Sequence, residues 1–290
     1  MPPEDEWTIL RLLTWTADFL KRKGSGSPRP DAEILLAHVL GYERVQLYTH
    51  YADVVGDRGR SDYRDLVRRR AEGAPVAYLV GRKEFYSLRF DVDPAVLIPR
   101  PETEFVVVEF LDAMKAVEAP TAVDVGTGSG CIAVACARFK PDARWLAVDL
   151  SADALAVAAG NARRHDVSDR IEFLQGDLLA PAVDRGPFDA IVSNPPYVAS
   201  AEIDRLDADV KDHEPALALD GGPDGLAVYR RLVERAASLL KPGGRLILEI
   251  GFDQDEAVGA LVAESGAFEL LPTVRDLQNL ARVVRAVRKA

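Results

Sequence analysis

Cysteine is nearly missing from this 290-residue chain: Cys131 and Cys136 are the two it has, five apart in an apolar run. Such a pair cannot build a disulfide framework, which predicts a reducing compartment. Long apolar runs are missing as well, since none reaches the roughly 18 residues that a membrane helix needs. The opening Met1-Pro-Pro-Glu-Asp-Glu is acidic where a secretory signal is basic. These absences predict a soluble, cytoplasmic chain with no membrane partner. Histidine is scarce, and His38, His50, His165 and His213 stand apart without ligand spacing, so no metal is expected. A basic surplus is lacking too. Residues 86–290 carry 22 Lys and Arg against 33 Asp and Glu, while residues 1–85 carry 14 against 13. A surface for nucleic-acid phosphates needs the opposite bias, so no direct nucleic-acid contact is expected.

What is present is an ordinary folded composition long enough for two unequal domains. Apolar residues at helical spacing predict helices over residues 8–23 and 31–40. Ser61 is the expected N-cap of a third, running to residue 72, and the three should form a small bundle. The aromatic and β-branched stretch from Glu84 predicts a hairpin-like connector over 84–98, which would set the domains at 1–83, 84–98 and 99–290. A helix is expected over 103–117. From Thr121 the pattern alternates: strands over 122–125, 144–148, 171–174, 188–192 and 245–250, helices over 131–139, 152–164, 226–240 and 255–264. That alternation predicts an α/β fold with a mainly parallel sheet and helices on both faces. Ligands bind beyond the carboxyl ends of such strands.

Four motifs fall at those ends. The loop Asp124-Val-Gly126-Thr127-Gly128-Ser129-Gly130 follows the first strand, and its glycines allow a ligand close to backbone at a helix N-terminus. It lacks the small residue at 131 that a dinucleotide fingerprint wants, and the Gly-Lys-[Ser/Thr] of a phosphate loop. Asp149 ends the second strand, where a carboxylate can accept both ribose hydroxyls; Asp177 ends the third, where it can accept from an adenine amino group. Asp124 either positions an amino group of the ligand or caps the glycine turn. Acidic residues in place of Lys and Arg suit a nucleoside without phosphates, and S-adenosyl-L-methionine fits. The fourth motif, Asn194-Pro195-Pro196-Tyr197, follows the strand over 188–192. Two prolines fix φ and remove two donors, leaving a rigid turn of acceptors with Tyr197 as an apolar wall. A planar –NH2 group has two hydrogens to give to such acceptors. Held so, its nitrogen is turned toward attack.

These residues resemble the HemK/PrmC-type protein-(glutamine-N5) methyltransferases. The resemblance rests on residues 124–133, the Asp149-Leu150-Ser-Ala-Asp segment, Asn194-Pro-Pro-Tyr, Glu214-Pro-Ala-Leu-Ala-Leu-Asp-Gly-Gly-Pro-Asp-Gly, Leu97-Ile-Pro-Arg-Pro-Glu-Thr-Glu and Lys241-Pro-Gly-Gly-Arg-Leu-Ile-Leu-Glu-Ile-Gly. It implies a class I, Rossmann-like methyltransferase domain behind a small helical domain that recognises substrate. It also implies methylation of the Gly-Gly-Gln glutamine of peptide chain release factors, with S-adenosyl-L-homocysteine as product. Carried over, residues 126–130, Asp149, Leu150, Asp177, Leu178 and Asn194 would hold the donor, and Asn194 to Tyr197 the glutamine amide. Arg100 and Glu102 would either shape the substrate entrance or cap the helix from Thr103. Ser87 stands where relatives usually have Gly. Glu249 is a charge in a strand that reads as buried, and is expected to be paired. Arg282, Arg285, Arg288 and Lys289 read as a solvated face. Rival readings are a glutamine methyltransferase of a ribosomal protein, an adenine-N6 or guanine-N2 nucleic-acid methyltransferase, and a binding domain without catalysis.

Overall fold

A computed structural model describes residues 6–290, so most of the acidic opening segment lies outside the described residues. The chain divides into two compact units. One runs to Gly81 and includes residues 208–213; the other comprises residues 82–207 and 214–290.

The first unit is helical. Helix α1, Ile9–Arg22, starts at the Thr8 cap, whose hydroxyl accepts from Arg11 N at 3.3 Å, and buries Ile9, Leu12, Leu13 and Leu20 on one stripe. Helix α2, Pro28–Leu40, begins three residues before the expected start, because proline fits a first helical turn that needs no N–H donor there. Helices α3, Arg44–Thr49, and α5, Val76–Val80, are too short to show a period and were not expected from sequence. Helix α4, Asp57–Ala71, has its N-cap at Gly56, five residues ahead of the expected cap at Ser61. Leu13, Leu20, Leu35, Leu36 and Leu47 close the core, and the Tyr63 hydroxyl donates to Ala32 O. Glu33 is buried but satisfied: Arg29, Arg44 and the Tyr48 hydroxyl all donate to it. In residues 208–213 the turn α9, Ala208–Lys211, brings Asp209 within 3.8 Å of Arg70.

The second unit opens with the hairpin β1, Arg82–Phe85, and β2, Leu88–Asp91. Its two-residue turn places Tyr86 and Ser87 at φ +50° and +58°, the left-handed pair that matches strand twist. Phe85 and Phe90 are buried in the same core as α7, Cys131–Phe139, so the hairpin belongs to this unit rather than standing between domains. Helix α6, Glu104–Ala113, follows a 3-10 turn at Pro101–Thr103 and ends four residues short of the predicted 117.

The sheet joins β5 (Ile171–Gln175), β4 (Arg144–Asp149), β3 (Thr121–Val125), β6 (Phe188–Ser193) and β7 (Leu240–Glu249) in that spatial order, all parallel. Antiparallel β10 (Ala281–Arg288) follows, pairing with β8 (Phe268–Leu270) and β9 (Val274–Arg275). Strand residues alternate between two cores. Ala122, Ala147, Val192 and Ile247 meet α6 and α7 on one face. Val123, Val148, Ile191 and Leu248 meet α10, Ala227–Leu239, and α11, Asp255–Glu264, on the other. Helix α8, Ala152–Arg164, links β4 to β5. Strand order reverses between β3 and β6, which opens a crevice at their carboxyl ends.

Candidate active site

A cavity of about 280 Å³ lies in that crevice. Its size is near the lower end of the roughly 300–1,000 Å³ usual for small-molecule sites. The glycine loop after β3 and the proline turn after β6 share its wall because β3 and β6 are neighbours. Val125 sits opposite Ser193, and the Ser193 hydroxyl donates to Val125 O at 2.7 Å.

Of the candidate residues, Gly126, Thr127, Gly128, Ser129, Asp149, Leu150, Asp177, Leu178, Asn194, Pro196 and Arg100 line this cavity. Asp149 ends β4 and accepts from Gly128 N and Ser151 N, both at 2.9 Å. It therefore fixes the loop and still presents the remaining lone pairs of both oxygens to the cavity. The Ser129 hydroxyl is buried in the wall with no partner among the described residues. Asn194 donates from Nδ2 to Thr103 Oγ1 at 3.0 Å.

Five candidates stand outside the wall. Asp124 is completely buried behind the loop, where Oδ2 accepts from the Thr127 hydroxyl at 2.7 Å and from Ala133 N at 3.2 Å. Of its two expected roles, this contact is the cap. Burial pushes its carboxyl up to about 7, against those two hydrogen bonds. Gly130 is covered by α8: at φ +78° a Cβ there would come within 3.1 Å of Ala158 Cβ, so only glycine lets the two helices approach. Pro195 is buried. Tyr197 packs into the core on the α10 side, its hydroxyl pushed up to about 12 by burial and by the neighbouring Glu249. Behind it, a Cβ at Gly225 would lie 2.4 Å from Tyr197 O, so this glycine lets the Asp220–Gly225 loop back the turn. Glu102 sits 3.7 Å from Arg282 instead of on the cavity.

Several contacts were not legible in sequence. Arg231 lines the wall beside the expected Arg100, so acidic groups do not stand there alone. Each is matched by an acid, Glu214 for Arg100 and Asp177 for Arg231, so the wall gains little positive charge. Buried Glu214 also accepts from Ile98 N at 3.1 Å, which pins the segment before α6. Glu249 has no ion-pair partner within salt-bridge distance among the described residues, against expectation; burial pushes it up to about 7, against the neighbouring Thr103 hydroxyl. The C-terminal arginines are not simply solvated: Arg282 pairs with Asp276 at 2.8 Å and Arg285 with Glu109 at 2.6 Å. Cys131 touches the cavity, and its thiol is pushed up to about 12 by burial; Cys136 is buried in the core.

The model of the PrmC N-terminal domain matches residues 11–81, and that of the methyltransferase small domain matches residues 105–210. A release factor glutamine methyltransferase of Rhodopirellula baltica is 44% identical over 282 residues, covering 96% of this chain and 95% of that protein. One from Moorella thermoacetica is 45% identical over 283 residues, covering 97% and 99%. Among solved structures, a methyltransferase from Pyrococcus furiosus shares the fold, at 16% identity and a TM-score of 0.53 over 79% of this chain and 100% of that one.

Proposed function

The chain belongs to the release factor glutamine methyltransferases, and we propose that its cavity brings a release-factor glutamine to the methyl donor between the glycine loop and the Asn194 turn. The reaction is transfer of a methyl group from S-adenosylmethionine to the side-chain amide N5 of glutamine. The observation that carries the site assignment is that Asn194 and Pro196 share one cavity wall with Gly126–Ser129 and Asp149.

The residues present suit that donor. The unpartnered Ser129 hydroxyl, the Asp149 carboxylate and the apolar Ala154, Leu178 and Val228 offer polar and flat apolar contacts together. In this reading Asp149 accepts from ribose hydroxyls, and the stretch around Asp177 and Leu178 holds the base. When bound, the donor supplies a methyl group on a positively charged sulfur. Asn194 accepts a hydrogen of the glutamine amide and the prolines keep the turn stiff. The amide nitrogen ends with a methyl in place of one hydrogen, which leaves as a proton once the nitrogen has become quaternary and acidic. Orientation of this kind reaches effective molarities of about 10⁵–10⁸ M in intramolecular systems. The helical unit selects the protein partner, and the Gly-Gly-Gln glutamine is the acceptor. The acidic balance of residues 86–290 supports a protein rather than a nucleic-acid substrate.

Mass spectrometry of purified release factor after incubation with enzyme and donor tests this. One added methyl on the Gly-Gly-Gln glutamine is expected, and none with Asn194→Ala while that variant still binds donor. Methylated ribosomal protein or RNA with unmodified release factor would defeat the reading.

A further inference from the structure

Thr103 and Glu249 come from distant segments and meet behind Asn194. Both are nearly inaccessible, at 1% and 2% exposure. Asn194 Nδ2 donates to Thr103 Oγ1 at 3.0 Å, and the Thr103 hydroxyl lies beside the Glu249 carboxyl, where it favours the charged form. Thr103 stands at the N-cap position of α6, yet its hydroxyl caps no helical N–H; it is spent on these two groups. Glu249 Oε2 is buried with no partner among the described residues.

A threonine hydroxyl has one hydrogen to give. An ionised carboxylate has none, so the hydrogen between Thr103 and Glu249 belongs to Thr103. Thr103 can then only accept from Asn194, which obliges the –NH2 end of that carboxamide to face it. Oδ1 is turned the other way, on a side chain that lines the cavity. We propose that Thr103 and Glu249 are positioning residues that set the Asn194 carboxamide with Oδ1 toward the substrate amide. This rests on the reading that Asn194 holds the glutamine. A neutral Glu249 reverses the sense: it donates to Thr103, whose hydrogen then goes to Asn194 Oδ1 and selects the flipped amide.

The setting of Glu249 places that switch near neutrality. Burial dominates and Glu102 adds to it, while Thr103, Arg282 and Arg100 oppose them; Tyr197, Tyr229 from α10 and Cys131 from α7 also face the carboxyl, whose charge raises their own proton affinity. The carboxyl lies at about 7, so turnover should fall as pH drops through that value.

The test compares Thr103→Val, Thr103→Ser, Glu249→Gln and Asn194→Ala in the full chain, with donor affinity by calorimetry and release-factor methylation from pH 6 to 9. Valine keeps the shape of threonine and removes the hydroxyl. It should lower kcat by about tenfold or more, the scale of a lost hydrogen bond to a buried polar group. Donor affinity should stay within about twofold, and serine should restore kcat to within about threefold. Glu249→Gln should have low kcat at every pH and lack the acid limb of the parent. Valine with near-parental kcat, serine as poor as valine, or an unchanged acid limb in Glu249→Gln would overturn the proposal while an inactive Asn194→Ala leaves the site assignment standing. An active Asn194→Ala brings down both.

Discussion

Asn161 and Asp91 exchange two hydrogen bonds across 70 residues of sequence: Asp91 N donates to Asn161 Oδ1 at 2.7 Å, and Asn161 Nδ2 donates back to Asp91 O at 3.0 Å. The same Nδ2 reaches Ser129 O at 2.9 Å. One fully buried carboxamide on α8 thus ties the hairpin to the glycine loop.

Replacing Asn161 by Ala strands three backbone groups at once. Stability should fall by about 2–4 kcal/mol, measured by urea unfolding. Donor affinity should fall with it, because the Ser129 carbonyl loses its anchor. A variant that loses stability but binds donor at parental affinity would show that the loop holds its shape without Asn161.

Ser87→Gly should stabilise the chain. Ser87 lies at φ +58° in a turn where glycine carries no Cβ cost. A gain of about 1 kcal/mol is expected in thermal or urea unfolding, with methylation unchanged. No gain would mean that the turn relaxes around serine at no cost.

Asp149→Ala removes acceptors for both Gly128 N and Ser151 N as well as the lone pairs facing the cavity. Donor affinity should weaken by about tenfold or more in calorimetry. Asp149→Asn keeps one acceptor and should lie between. Equal affinity in all three proteins would remove Asp149 from donor binding.

Asp124 makes a prediction with a sign. Its folded carboxyl is raised to about 7 from 3.8, so the folded chain binds more protons than the unfolded chain between those values. Its contribution is complete below about pH 4 and is lost as pH rises to 7. Asp124→Asn has no proton to lose there. The stability of the parent should therefore decline relative to the variant from pH 4 to 7, by at most about 4 kcal/mol, and run parallel above. Parallel curves across the whole range would place the carboxyl at its ordinary value.

Locally encoded elements could be read from the sequence to the residue. Helices α7, α8 and α11 begin and end at the predicted positions, since the glycine loop, the Ser151 cap and the apolar period all act within one or two turns. The single-turn helices α3 and α5 escaped because five or six residues do not display a period, and the start of α2 escaped because Pro28 reads equally as a breaker. Residues 126–129, Asp149 and Asn194 were legible because each follows a strand on the side where α/β sheets bind ligands.

The sequence by itself determined the alternation of strands and helices, the loop and turn at the strand ends, and so the class of fold and the neighbourhood of the site. Only the tertiary structure decided which of those residues face the cavity. It put Asp124 behind the loop, matched Arg231 to Asp177 and Arg100 to Glu214, and spent the Thr103 hydroxyl on Asn194 and Glu249 rather than on a helix cap. Local patterns record which face of an element is apolar. A polar side chain's partner, tens to more than a hundred residues away, is chosen by strand order and by the cost of leaving a buried group unpaired.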